Sequence, residues 1–135
     1  MEPIVWTEEF SVGVSEMDRQ HKKLITMINR LVDEPKATTR SETVSDLLTG
    51  MINYAQEHFR AEEALMSEHA YPFKDQQADQ HRSFIEKTVE FCSAVEADVD
   101  IVPQAMLEYL KSWLIHHILE QDMKYTTFFA DRGVF

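Results

Sequence analysis

The sequence predicts an all-α fold: an up-down-up-down antiparallel four-helix bundle preceded by an N-terminal arm. Three observations carry this. Apolar residues recur at helical spacing in four segments of roughly 18 to 30 residues, the pattern of helices with one buried face. Short links separate the segments, which makes sequence neighbours antiparallel. Gly and Pro number only three and four in 135 residues, too few for the turns of a β-rich chain.

The opening "MEPIVWTEEFSVGV" shows neither helical nor strand period and reads as the arm. The first helix is expected from about Glu16 to Asp33, with Met17, His21, Leu24, Ile28 and Leu31 inward. Pro35 breaks it. Thr39, followed three residues later by Glu42, has the form of a capping box opening the second helix. That helix runs to about His69, where "AYPF" stops it because Pro72 has no amide donor and restrains Tyr71. The third runs from about Lys74 to Ala97, with Phe84, Ile85, Thr88, Phe91, Cys92 and Val95 on one side. The fourth starts near Pro103, a residue suited to a first turn, and continues to about Phe129, with Gly133 as stop signal.

Composition bounds the function. The chain is 44% hydrophobic, long enough to bury a core, and residues 1–135 are expected to form a single domain. Its formal charge is −11, from 24 acids against 13 bases. Nucleic acid and anionic membranes both select clustered Lys and Arg, so neither is an expected partner. No apolar run reaches the roughly 18 residues of a membrane span. No charged and then apolar leader opens the chain, so no secretory signal is expected. Cys92 is the sole cysteine, which excludes an intrachain disulfide and points to the cytoplasm.

The chemistry lies on the apolar stripes. His21 sits in the inward series of the first helix, and His58 and Glu62 continue that of the second behind Met51 and Ala55. Gln77 and His81 share a register with Phe84 and Thr88, and His117 one with Leu110, Trp113 or Leu114, and Gln121. His116, about 100° further round, falls on the outer face. Each helix thus turns one histidine inward. In an antiparallel pair, residues equidistant from the turn lie level. The midpoints of His21/His58, Glu62/His81 and His81/His117 fall at about 39.5, 71.5 and 99, one in each link. At about 1.5 Å rise per residue, the groups lie within about 5 Å of a common level. They form a cluster.

Imidazoles and carboxylates converging inside a bundle bind metal. Glu62 and Asp122 can each span two ions, one oxygen on each. Structural zinc prefers thiolates, and none lies at ligand spacing; calcium and magnesium want mainly oxygen. A nitrogen-rich set with two carboxylates fits a pair of irons best. His117 and Asp122 are five apart, about 140° in a regular helix, so a π-bulge is expected near 117 to 122.

The segments "VGVSEMDRQHKKL", "HFRAEEALM", "YPFKDQQADQHRSF" and "WLIHHILEQDMKY" resemble the bacterial hemerythrins from Trp6 to about Phe129. The resemblance implies a hemerythrin-like domain holding two non-haem iron ions, oxo- or hydroxo-bridged, that binds O2 reversibly and is not an enzyme. By position, His21 and His58 look like ligands of the iron that keeps a place for O2. His81 and His117 look like ligands of the other, and Glu62 and Asp122 like the bridges. Leu24, Trp113, Leu114 and Ile118 are core residues that the resemblance also makes the dry wall of the O2 pocket. Tyr125, a turn beyond Asp122, is either a hydrogen-bond donor behind a ligand or packing. One position departs: the family pattern has His-x-x-x-His where this chain has "QADQH", so Gln77 replaces an imidazole with a weak amide ligand or leaves its place to water. Storage, delivery or sensing of O2 is the expected role, with an unidentified client enzyme or sensor partner. The alternative is a di-iron oxidase or peroxidase, or a redox or oxygen sensor, exploiting the altered position at Gln77.

Overall fold

The computed structural model of the chain describes residues 2–135; Met1, the first residue of the expected arm, lies outside them. The first rod is α1 (Ser15–Val32). The second is α2 (Glu42–Tyr54) and α3 (Arg60–Glu68), joined by π turns over Ala55–Phe59. The third is α4 (Lys74–Glu96). The fourth is α5 (Val102–Trp113) and α6 (Met123–Ala130), joined by π turns over Leu114–Asp122. The rods form the expected antiparallel four-helix bundle.

The second, third and fourth rods stop for a local reason. Ala70 and Asp98 take left-handed backbone at φ 53° and 55°, and Tyr71 N–H and Val99 N–H reach back to the carbonyls of Met66 and Ala94. That closure satisfies helix-end carbonyls. Gly133 does the same after α6 at φ 74°, with Val134 N–H donating to Phe129 O at 2.9 Å. Pro103 lies in the first turn of α5. The capping box does not form. Ser41 precedes α2 with no side-chain cap, and the Thr39 hydroxyl instead donates to the carbonyl of Val99 across the bundle end. A partner in the facing loop won over the local amide.

The inward series of α1 is buried in full. Ile85, expected inward, is 45% exposed, because α4 turns Phe84, Thr88 and Phe91 to the core and leaves Ile85 and Val89 outside. Gln121 is only half-buried, since the π turns carry the inward stripe on to Asp122. His116 is exposed, as expected, and so is the Lys22–Lys23 pair beside His21. Burying a Leu, Ile or Phe side chain contributes about 1.5–3 kcal/mol, so the apolar layers above and below the histidines carry the stability that polar groups at mid-height cost. The arm folds over one flank: Asp18 accepts from the Ser11 hydroxyl at 2.6 Å and the Val12 amide at 2.8 Å. No helix among the described residues is long and apolar enough to cross a membrane.

Candidate metal centre

His21, His58, Glu62, Gln77, His81, His117 and Asp122 meet in one layer, none more than 2% exposed. Ligand-capable atoms of His21, His58, Glu62 and Asp122 lie within 4.8 Å of one another, and so do those of Glu62, His81 and His117.

The carboxylates link the groups. Glu62 puts Oε2 3.1 Å from His58 Nε2 and Oε1 2.9 Å from His81 Nε2. Asp122 puts Oδ2 3.3 Å from His21 Nε2 and Oδ1 3.1 Å from His117 Nε2. Each acid therefore offers one oxygen to each histidine pair. His117 and Asp122 share the site because the fourth rod widens into π turns there, five residues being the span of the π hydrogen bond. The bulge expected near 117 starts earlier, at Leu114.

Three side chains outside the expected set aim the rings. His58 Nδ1 lies 2.5 Å from Gln20 Oε1, His81 Nδ1 3.0 Å from Glu63 Oε2, and His117 Nδ1 2.7 Å from Gln80 Oε1. An acceptor at Nδ1 keeps the proton there and leaves the Nε2 lone pair facing inward, the usual support for a metal-ligating imidazole. Each sits beside a site residue, Gln20 before His21, Glu63 after Glu62 and Gln80 before His81; that adjacency was the only signal in the sequence. Tyr125 is a donor and not merely packing: its hydroxyl is 2.8 Å from Glu62 Oε2. Gln77 donates through Nε2 to Asp122 Oδ1 at 2.9 Å, while its Oε1 is buried without a partner. His69 packs against Phe129, away from the cluster. Leu24, Trp113, Leu114 and Ile118 are buried, and Trp113 stacks on His117 at 4.1 Å.

The electrostatics describe a box short of positive charge. Burial lowers His21 to about 4 and also lowers His58, so both are neutral and free to ligate. At His81 burial pulls down, but the carboxylates of Glu62 and Glu63 outweigh it and the ring is raised. Burial would raise Glu62, yet the facing histidines hold it well below the usual carboxylate range. Asp122 is pushed well up, by burial and then by the charge of Glu62. Two buried acids in one site do not both ionise without cations. His117 Nε2, Asp122 Oδ2 and Gln77 Oε1 also lack hydrogen-bond partners. Cations among these atoms would supply both the missing charge and the missing partners, so the donor set fits a metal.

Fold and site together define a class: a four-helix bundle built around a histidine–carboxylate metal centre. The model of the Hemerythrin HHE cation binding domain matches residues 12–129, and the chain belongs to the hemerythrin family. It is 30% identical over 122 residues to a bacteriohemerythrin of Stenotrophomonas maltophilia, covering 90% of this chain and 78% of that one. It is likewise 30% identical to a bacteriohemerythrin of Clostridium acetobutylicum over 125 residues, 90% of this chain and 97% of that one. A hemerythrin-like protein of Naegleria gruberi is 27% identical over 123 residues, 91% of each chain. A solved structure of wild-type hemerythrin superposes with a TM-score of 0.75 over 93% of this chain and 97% of that one, at 24% identity; this likeness shows the fold alone.

Proposed function

We propose that the protein holds two iron ions and binds O2 reversibly, as a ligand-binding protein and not an enzyme. His21 and His58 hold one ion, His81 and His117 the other, and Glu62 and Asp122 bridge them. The observation that carries this reading is that each carboxylate faces both histidine pairs, one oxygen to each. The irons, when bound, supply the two electrons that O2 takes up on binding and returns on release. The chain's own residues set the conditions. Gln20, Glu63 and Gln80 hold the Nδ1 protons of His58, His81 and His117 and so keep three Nε2 atoms inward. Tyr125 steadies Glu62 through its hydroxyl. Leu24, Leu114 and Ile118, each at most 1% exposed, exclude water with Trp113, which disfavours loss of the bound gas as a hydrated anion.

Gln77 lies on the His117 side, bonded to the Asp122 oxygen that also faces His117. Its amide oxygen serves there as a neutral, weaker ligand than imidazole, so the second ion is held more loosely than the first. This altered position is the one feature favouring the alternative, an oxidase- or peroxidase-type centre or a sensor. Stopped-flow mixing of the reduced, iron-loaded protein with O2 separates the readings. The proposal expects an oxygenated spectrum that persists and disappears when O2 is removed. Rapid irreversible conversion to the ferric form would reject it in favour of the enzyme.

A further inference from the structure

Three of the four buried imidazoles lie face to face with an aromatic ring. Tyr54 stacks on His58 at 4.6 Å and 15°, Phe59 on His81 at 3.9 Å and 6°, and Trp113 on His117 at 4.1 Å and 12°. All three rings close on Phe84, at 5.6, 5.3 and 4.8 Å. Phe84 in turn lies 6.1 Å from Tyr109. Tyr109 is one turn before Trp113 on α5, the i, i+4 spacing that makes side chains neighbours. Packing asks only for apolar rings. It does not ask for indole and phenol, the aromatic side chains that give up an electron most readily, in a row that leads outward.

Tyr109 is half-buried, whereas Tyr54, Tyr71 and Tyr125 are buried. With Trp113, Gln80 and His116 it lines a surface depression of about 250 Å3. A phenol that loses an electron must also lose its proton, and Tyr109 alone among the tyrosines can give that proton to water. The hydroxyls of Tyr54 and Tyr71 have no partner, and that of Tyr125 is committed to Glu62. Trp113 Nε1 is also unpartnered, so an electron vacancy on the indole has no base to settle it and passes on.

We propose that Trp113 and Tyr109 form an exit for oxidising equivalents from the metal centre, discharged at Tyr109 to a soluble one-electron donor such as a phenol or ascorbate. The proposal rests on the di-iron reading. The oxidant is hydrogen peroxide, which O2 becomes when it takes two electrons and two protons and does not return them. Hydrogen peroxide takes two electrons and two protons to become two waters, chemistry that iron held by the residues of the metal centre would support. Each electron comes from Trp113 and is replaced from Tyr109, whose O–H proton goes to water and leaves a phenoxyl radical. The soluble donor returns one electron and one proton to Tyr109 after each step.

The test treats ferric, iron-loaded protein with hydrogen peroxide and a radical trap, without a soluble donor, and locates the modified residue by peptide mass spectrometry. Iron content and reversible O2 binding are measured first on the same preparation, and zinc-loaded protein is the control. The expected result is modification at Tyr109 in the iron form and not in the zinc form. Trp113→Phe should lower it to the zinc level, and Tyr109→Phe, with O2 binding intact, should move oxidation onto the Trp113 indole. Modification at Tyr54, Tyr71 or Tyr125 instead, equal labelling with zinc, or labelling indifferent to Trp113→Phe would overturn the proposal. A preparation that takes up no iron would overturn the di-iron reading and this inference with it. Iron and reversible O2 binding with Tyr109 untouched would overturn this inference alone.

Discussion

Gln77 and His21 show how one side chain sets the behaviour of the site. Gln77 brings an amide where an imidazole would give the second ion a stronger donor, and its oxygen is buried without a partner. Gln77→His should therefore tighten the looser position. Iron counted after passage over a mild chelator is expected to fall below two per chain in the unaltered protein and to stay near two in the variant, the size of change that altering a ligand's surroundings brings being about 10–100-fold in affinity. Equal retention in both would mean that Gln77 does not govern the second ion. His21, lowered by burial from 6.5 to about 4, resists protonation in the metal-free fold. As pH falls below 6.5 the unfolded chain takes that proton first, so the stability His21 contributes is present above 6.5 and is lost toward about 4. His81 is shifted the other way, and its contribution is largest at low pH. Imidazole 15N shifts of the metal-free protein should show His81 protonating first and His21 well after it; His21 titrating near its ordinary value would contradict the burial argument. The aiming residues were the illegible part at this scale. Gln20, Glu63 and Gln80 could not be singled out from the sequence because each acts on a histidine of another rod, and the rotation of one rod about its neighbour is not written in either helix's period.

At the scale of elements, the four rods and their stops were legible because period, Pro and Gly act within a few residues. The π turns at Leu114–Asp122 were legible too, since His117 and Asp122 cannot share a site at five-residue spacing in a regular helix. Those at Ala55–Phe59 were not. His58 and Glu62 are four apart and fit a regular helix, so nothing in their spacing called for a wider turn. What the turn accompanies is the burial of adjacent His58 and Phe59, the second stacked on His81. Thr39 failed as a cap for a similar reason: the residue that takes its hydroxyl, Val99, is 60 positions away. Thr39→Val should therefore cost about 1 kcal/mol, the net worth of one hydrogen bond, in the urea unfolding of the metal-free protein. Thr39→Ser should restore most of it, and far-ultraviolet circular dichroism should show no loss of helix in either. A loss of helix in Thr39→Val would return Thr39 to the capping role.

Across the whole molecule, the bundle acts as a frame that brings residues from four rods to one depth. The pairs expected to lie level from the link midpoints do meet: Nε2 of His21 and His58 are 3.0 Å apart, His81 Nε2 and Glu62 Oε1 2.9 Å, and the rings of His81 and His117 5.2 Å. The heights agree because antiparallel rods joined by short links leave little freedom in height, while their rotation, which decides Ile85, remains free until packing fixes it. The metal-free box keeps Asp122 high in proton affinity beside a low Glu62, and two cations between the acids would remove that conflict. The most direct measurement is an anomalous difference map, collected at the iron edge, from crystals of the iron-loaded protein. Two peaks are expected, one beside His21 and His58 and the other beside His81 and His117, with Glu62 and Asp122 between them. A single peak, or iron bound anywhere outside this layer, would contradict the account.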